Sequence, residues 1–215
     1  MYKTCGGSSA DHPFVIALPV LASIIALVGF SFVSSVTPGP NNVLLWASGA
    51  AFGFRRTGRH IVGTAIGIAV MALVAAAGLA ALITAVPQLA TAMKIAGSIY
   101  LLYLALQIAR GGGLTGTDVA RPLGLLEAAA FQVVNPKAWI FALGAMTTFR
   151  PAELPVGVGS VLVAATMFVV ILPTASLWAA GGDALSRVLS SDRLRRPVAL
   201  VLAALVALTV ISVWL

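Results

Sequence analysis

Residues 37–42 read Thr-Pro-Gly-Pro-Asn-Asn and are the stretch of the chain whose residue types could bind a ligand. They separate two apolar runs that carry no charge. Pro38 and Pro40 lack the N–H group that a continuous helix requires, and Gly39 adds backbone freedom, so a helix cannot run straight through. Lipid tolerates irregular backbone only where protein or a water-filled cavity surrounds it. The stretch therefore predicts an internal cavity, which we interpret as a substrate site.

A second proline break, Asn135-Pro136, lies in another apolar run and is followed directly by Lys137. A cation near the centre of a bilayer costs at least about 2.5–3.5 kcal/mol, so Lys137 is expected to face the interior of a helix bundle. There it could meet a substrate carboxylate or neutralise carbonyl groups freed by Pro136. Alternatively, Lys137 snorkels to the membrane surface or is a purely structural partner of backbone oxygens.

Several amide side chains lie close to the two breaks. Asn41 and Asn42 open a half-helix whose free N–H groups and positive dipole end suit an anion, although Asn41 could merely cap that helix and Asn42 could bond to a neighbouring span. Gln132 lies one turn before Asn135, so both could face one cavity or bridge two helices. The predicted substrate-binding residues are Thr37, Pro38, Gly39, Pro40, Asn41, Asn42, Gln132, Asn135, Pro136 and Lys137.

The elements that position these residues are predicted to be transmembrane helices. The chain is 60% hydrophobic and 9% charged, against about 25% charged residues in soluble domains. The net charge of +7 could suggest nucleic acid, but most basic residues lie in short loops, where membrane orientation explains them better. His12 and His60 fall outside the predicted spans, and Cys5 has no partner for an internal disulfide. We therefore predict no metal, no cofactor and no nucleic-acid partner.

Six apolar runs are long enough to cross a bilayer, which takes about 20 residues per helix. The first span lies within residues 14–52 and the fourth at about 123–149, and each contains a proline break. The other spans are predicted at about 61–85, 89–108, 154–180 and 197–215. Gly181-Gly182 is expected to follow the end of the fifth span, and Pro197 to begin the sixth. Residues 1–13 are predicted to be a polar tail that precedes one transmembrane domain, residues 14–215.

The basic residues predict the orientation of these spans. The first, third and fifth connections contain nine Lys and Arg residues, whereas the tail and the second and fourth connections contain only Lys3, Lys94 and Arg150. By the positive-inside rule the odd connections are cytoplasmic and both termini lie outside. Halves of three spans each, about 14–110 and 121–215, then have opposite orientations. The predicted fold is an all-α integral membrane protein with a 3+3 inverted repeat whose first and fourth helices are broken at proline, an arrangement typical of transporters.

Other features of the sequence leave alternatives open. Gly63 and Gly67 form a GxxxG pattern, for which close internal packing is favoured over a dimer face, although the chain could still form a homo-oligomer. Trp46 and Trp178 could close the site or anchor the protein at the membrane surface. None of the six acidic residues lies in the middle of a predicted span, so no proton-coupling group is identified.

Three segments resemble the LysE/RhtB family of bacterial amino-acid exporters, with a resemblance that extends from about Leu21 to the end. They are TPGPNNVLLWASGAAFGFRRTGRHIVGTAIG, MKIAGSIYLLYLALQIARG and AAAFQVVNPKAWIFALGAMTTF, in this order and spacing. The resemblance implies six spans in the bacterial inner membrane and efflux of amino acids or close derivatives, driven by the proton gradient. PGPNN with GFR after it, and FQVVN with TTF after it, look most like the cysteine/O-acetylserine exporter branch. The polar start, Met1 to Asp11, looks like an extension beyond the usual family start or a misassigned start codon.

These observations predict a secondary transporter that exports small amino acids or close derivatives. An intramembrane enzyme is less favoured, because the sequence contains no HExxH, no GxSxG, no Ser/His pair within the spans and no acidic dyad. A metal-ion exporter would need carboxylates or soft ligands at membrane depth, and few are present. A passive channel on the same scaffold stays compatible with the sequence.

Overall fold

The computed structural model describes residues 13–79, 87–109, 121–188 and 192–214. Within these ranges every regular element is a helix. The polar tail, residues 1–12, and most of the third connection lie outside the described residues. The helices are α1 Pro13–Val36, α2 Pro40–Phe52, α3 Gly58–Val74, α4 Pro87–Ala109, α5 Leu125–Val134, α6 Pro136–Phe149, α7 Val156–Val188 and α8 Asp192–Trp214, with a π-helical turn Ala75–Leu79 directly after α3.

Two proline residues mark the starts of α2 and α6. Between α1 and α2 the chain is extended at Gly39, with φ −174° and ψ 170°, and Pro40 then begins α2. Between α5 and α6 a single residue, Asn135, is extended, with φ −89° and ψ 102°, and Pro136 begins α6. Extended backbone is the conformation that a following proline favours, and the first turn of a helix does not need the missing N–H group.

The packing of the helices is organised around α3 and α7, which contact each other. Helices α1 and α2 pack against α7, α5 and α6 pack against α3, and α4 packs against α8. Small residues allow the closest approaches: Gly49 lies on the backbone of Ala179, and Gly63 lies on the backbone of Leu125. Gly67 likewise faces Ala129 of α5. The internal packing favoured for the GxxxG pattern is therefore confirmed.

The outer surface of the bundle is apolar. Leu126 is 79% exposed and Ile140 71% exposed, which suits contact with lipid rather than water. Within the part of the chain that the structure describes, three helices are long and apolar enough to span a membrane: Ile16–Val36, Gly58–Gly78 and Val156–Ser186. The count of six spans stays a prediction.

Two expected boundaries are wrong. Helix α7 continues through Gly181 and Gly182 to Val188, because Gly182 provides a close contact with the backbone of Trp46 instead of ending the helix. Helix α8 begins at Asp192 rather than near Pro197, since a helix can extend past its apolar part into charged residues.

Several residues assigned to connections are helical, among them Arg59, Arg187 and Arg193. Lys94 lies within α4, so it does not belong to the second connection. His60 lies in α3 and is fully buried, not outside the spans. The hydrophobic run begins only after His60, and for this reason the apolar pattern alone placed the residue in the preceding loop.

Candidate functional site

The interruption after α1 and the interruption after α5 meet at one pocket. It encloses about 420 Å³ of space not filled by protein, part of which is open to the outside. Its polar lining comes from both parts of the chain: Ser34, Ser35, Gly39, Asn41, Asn42, Thr64, Gln132, Asn135, Lys137 and Thr174. Its apolar lining is Pro40, Ile68, Ala138, Phe141, Ile171 and Ala175.

Seven of the ten predicted site residues line this pocket, and three do not. Thr37, Pro38 and Pro136 are absent from the lining within the described residues. Thr37 and Pro38 lie immediately behind it, where their oxygens accept hydrogen bonds from Lys137. Pro136 instead packs near Gly97 of α4, where the backbones of two helices approach closely.

The half-buried Lys137 joins the two interruptions. Its Nζ donates to Thr37 O at 2.7 Å, to Thr37 Oγ1 at 2.8 Å and to Pro38 O at 3.2 Å. A lysine ammonium has three donors, so these acceptors occupy all of them. The expectation that Lys137 neutralises carbonyls freed by Pro136 is wrong, because Asn135 N donates to Gln132 O and Trp139 Nε1 donates to Val133 O there.

A side chain of α2 also stabilises the interruption between α1 and α2. Asn42 Nδ2 donates to Ser35 O at 2.7 Å and to Thr37 O at 2.8 Å, so one side chain of α2 bonds to the end of α1. Carbonyl groups at a helix end have no partner inside the helix and need one from elsewhere. Asn42 and Lys137 together supply these partners and so stabilise the non-helical backbone between α1 and α2.

A buried amide network forms one wall of the pocket. Asn41 Oδ1 accepts hydrogen bonds from Thr64 Oγ1 at 3.1 Å and from Gln132 Nε2 at 2.9 Å. Gln132 Oε1 accepts one from Asn135 Nδ2 at 3.0 Å. Gln132 is fully buried and bonds to both interruptions. The prediction that Gln132 and Asn135 share a cavity is therefore consistent with the position of both side chains in this wall.

The pocket combines groups suited to both charges of a zwitterion. The first turns of α2 and α6 line it, and helix N-termini offer free N–H groups and positive dipole ends to a carboxylate. Asn135 Oδ1 is buried and has no hydrogen-bond partner among the described residues. A buried oxygen without a partner can accept a bond from an ammonium group. Ile68, Phe141 and Ile171 provide an apolar wall beside these groups.

Sequence reasoning missed four hydroxyl groups that line the pocket. Ser34 and Ser35 lie in the last turn of α1, Thr64 in α3 and Thr174 in α7. Thr174 Oγ1 donates to carbonyls of its own helix, Val170 O and Ile171 O. In the sequence, these residues are recognisable only as polar residues within apolar spans. Ser and Thr hydroxyls in helices often bond to carbonyls of their own helix, so their presence alone does not identify a binding site.

An exposed ion pair, Arg121 with Glu127, lies away from the pocket. Arg121 Nη2 contacts Glu127 Oε1 at 2.6 Å, and both side chains are exposed. The hydrogen bonds that Arg121 donates to the Glu127 carboxylate raise the pKa of Arg121. No group of three or more His, Cys, Asp or Glu side chains that could hold a metal ion lies within the part of the chain that the structure describes.

An apolar helical bundle with a polar pocket at two helix interruptions is characteristic of membrane transport proteins. The LysE type translocator family matches residues 32–213, and the chain belongs to this family. It is accordingly a multi-pass membrane protein of a translocator family.

Several relatives carry the name cysteine/O-acetylserine efflux protein. The chain is 32% identical over 126 residues to the protein of Klebsiella pneumoniae subsp. pneumoniae, a match that covers 59% of this chain and 64% of the relative. It is 30% identical over 131 residues to the proteins of Shigella flexneri serotype 5b and Salmonella typhimurium, covering 61% of this chain and 66% of each relative. The chain thus spans slightly less than two thirds of these relatives. No solved structure matches the chain.

Proposed function

We propose that the chain is a secondary transporter that exports small amino acids or close derivatives, such as cysteine or O-acetylserine, from the bacterial cytoplasm in exchange for protons. The observation that carries this proposal is the single pocket at which both helix interruptions meet. Two helix N-termini and an unpartnered amide oxygen line it, which together match an amino-acid zwitterion. The names of the cysteine/O-acetylserine efflux relatives support the substrate class.

Substrate binding follows from the geometry of the pocket. The carboxylate would bind at the first turns of α2 and α6, and the ammonium group would bind at Asn135 Oδ1. Lys137 already has three acceptors in the first interruption, so its role is to hold the start of α2 in position rather than to meet the carboxylate directly. The small apolar wall favours a short, neutral side chain.

The pattern of helix packing supports an inverted repeat. In the proposed arrangement α1 with α2 forms the broken first span, and α5 with α6 forms the broken fourth span. The first pair packs on α7, and the second pair packs on α3; α3 contacts α7, and α4 contacts α8. Each of these contacts has a counterpart when the halves are exchanged. Rocking of one half against the other would open the pocket to the cytoplasm and the outside in turn.

Efflux from intact cells tests this function. Cells that express the protein are loaded with labelled O-acetyl-L-serine, and its release is followed with and without a protonophore. We expect expression to increase release and the protonophore to abolish the increase. Release that the protonophore does not affect would indicate a passive channel. No increase for either O-acetylserine or cysteine would contradict the proposal.

Lys137→Met tests the site within the same assay. The variant keeps a long side chain but removes the three hydrogen bonds to Thr37 and Pro38, so α2 loses its fixed start. Charge-assisted hydrogen bonds contribute about 1.5–3 kcal/mol each, so we expect the efflux rate to fall at least roughly tenfold at equal membrane levels. Lys94→Met, which changes a lysine of α4 outside the pocket lining, is the control and should retain normal efflux. Normal efflux by Lys137→Met would show that the site is wrongly assigned.

A further inference from the structure

His60 is the buried titratable residue that the transport site does not use. It is the third residue of α3 and is 0% exposed. Its Nδ1 lies 3.2 Å from the hydroxyl of Ser48 on α2. Its Nε2 is buried and has no hydrogen-bond partner among the described residues. Buried polar atoms are nearly always paired, so this orphaned nitrogen calls for a physical explanation.

Nε2 of His60 lacks a hydrogen-bond partner in either tautomer of the ring. If Nδ1 carries the hydrogen and donates to Ser48, Nε2 presents a lone pair that can accept a proton. If Ser48 donates to Nδ1 instead, Nε2 carries an N–H group without an acceptor. Imidazole exchanges protons within the physiological pH range. A proton that binds to the free lone pair of Nε2 turns the ring into a cation without breaking the bond to Ser48.

The ring lies next to the wall of the pocket. Thr64 follows His60 by four residues, so both side chains project from the same face of α3, one turn apart. Thr64 in turn donates to Asn41, which lines the pocket. A charge on His60 therefore lies about 6 Å along the helix axis from a residue of the substrate site.

The charged groups on the elements around His60 are mainly cations. Its own hydrogen bond is to the neutral Ser48. Glu127, on the adjacent α5, is exposed and paired with Arg121. The remaining charged residues on or beside α3, α6 and α7 are Arg55, Arg56, Arg59, Lys137, Arg150, Glu153, Asp183 and Arg187. Six of these eight residues are basic, so a positive charge on the imidazole ring and a cation in the pocket are unfavourable at the same time.

We propose that His60 binds the transported proton, a hypothesis that rests on the proposed exchange of an amino acid for protons. Nε2 takes up a proton when the pocket is empty. It releases that proton when the ammonium group of the substrate enters, because two cations in one low-dielectric interior repel each other. The hydrogen bonds that link Thr64 to Asn41, Gln132 and Asn135 connect the helix of His60 to the proposed ammonium site. This mutual exclusion is the property that an exchanger needs. His60 would thus provide a proton-binding group in a chain whose predicted spans have no acidic residue at their middle.

Purified protein in liposomes separates coupling from substrate binding. Counterflow of labelled O-acetyl-L-serine at equal pH on both sides requires only the substrate site. Accumulation driven by an imposed pH gradient requires the proton site as well. We expect His60→Gln, which retains hydrogen-bonding groups but does not titrate, to keep counterflow within about twofold of the unaltered protein. Its accumulation driven by the pH gradient should fall at least roughly tenfold. His12→Gln, which removes the other histidine, should keep both activities.

A second variant addresses a purely structural role. Ser48→Ala removes the partner of Nδ1 but leaves the ring, so it should retain gradient-driven accumulation with a shifted pH midpoint. Full gradient-driven accumulation by His60→Gln would overturn the proposal. Loss of both activities in His60→Gln, or an unchanged pH midpoint in Ser48→Ala, would also overturn it, since His60 would then serve packing alone. Absence of counterflow in the unaltered protein would instead contradict the proposed export function.

Discussion

At the scale of single residues, Lys137 is a cation stabilised by carbonyl and hydroxyl dipoles rather than by a carboxylate. Placing a lysine near the bilayer centre costs about 2.5–3.5 kcal/mol on insertion scales. Each hydrogen bond to a charged group contributes about 1.5–3 kcal/mol. Three such bonds outweigh the insertion cost, so the lysine can remain at depth without an acidic partner.

The space around Lys137 depends on a glycine, and Gly39→Ala tests this dependence. A Cβ atom at Gly39 would lie 2.8 Å from Lys137 Cδ and 3.1 Å from Nζ. The extended backbone at this position accepts alanine, so any effect arises from the contact with Lys137. Overpacking costs about 1–3 kcal/mol, and we expect efflux to fall roughly fivefold or more.

Gly29→Ala is the matched control for that experiment. Gly29 lies in α1, and a Cβ atom there would meet nothing within 4 Å. Both variants are compared in the cell-based efflux assay, with membrane levels measured by immunoblotting. Equal efflux by the two variants would show that the position of Lys137 is not critical.

The sequence alone identified most polar residues of the candidate site but not their partners. A proline break and a lysine inside an apolar run are unusual enough to stand out, and both contribute to the pocket region. The carbonyls that Lys137 contacts belong to the other interruption, which no local pattern could indicate. His60 was missed because it precedes the apolar run, and its burial depends on how α2 packs beside α3.

At the scale of helices, α2 and α7 approach closely because glycine occurs on both. Gly49 lies on the backbone of Ala179, and Gly182 lies on the backbone of Trp46. From the local sequence alone, Gly181-Gly182 favours the end of a helix, because glycine is a poor helix former. In the structure, α2 packs so closely against α7 at Gly182 that only a residue without a side chain fits there. The local sequence does not show which helix packs against it.

Gly182→Ala and Gly181→Ala form a matched pair that tests this helix contact. A Cβ atom at Gly182 would overlap the backbone of Trp46, whereas one at Gly181 would meet nothing within 4 Å. Overpacking of about 1–3 kcal/mol should lower the melting temperature of Gly182→Ala by roughly 2–10 °C. Gly181→Ala should be unchanged or slightly more stable, since alanine is the better helix former.

The measurement is the loss of the monodisperse peak on size-exclusion chromatography after heating in detergent. It reports on packing and does not depend on the substrate. Equal melting temperatures for the two variants would show that α2 and α7 are not in close contact at Gly182.

At the scale of the whole molecule, the helix order could be predicted more completely than the membrane arrangement. Composition and apolar runs indicate an all-helical membrane protein, and the structure describes helices in every predicted span region. Which helices cross the bilayer, and how deeply the two interruptions lie within it, depends on the surrounding lipid. Neither helix length nor packing determines these depths. For this reason the orientation of the chain is a separate prediction with its own test.

The distribution of basic residues predicts that both termini lie outside the cytoplasm. Arg55, Arg56 and Arg59, and later Arg193, Arg195 and Arg196, lie in or directly beside two connections between apolar helices, and basic residues at such positions remain cytoplasmic. An alkaline phosphatase fused after Leu215 should therefore be active, because it folds only outside the cytoplasm, whereas a green fluorescent protein at the same position should stay dark. The same reporters inserted after Arg56 should give the opposite pair of signals. Fluorescence of the reporter fused after Leu215 would show that the topology is the reverse of the predicted one. The pocket would then open in the opposite order during the transport cycle, and His60 would lie at the outer end of α3.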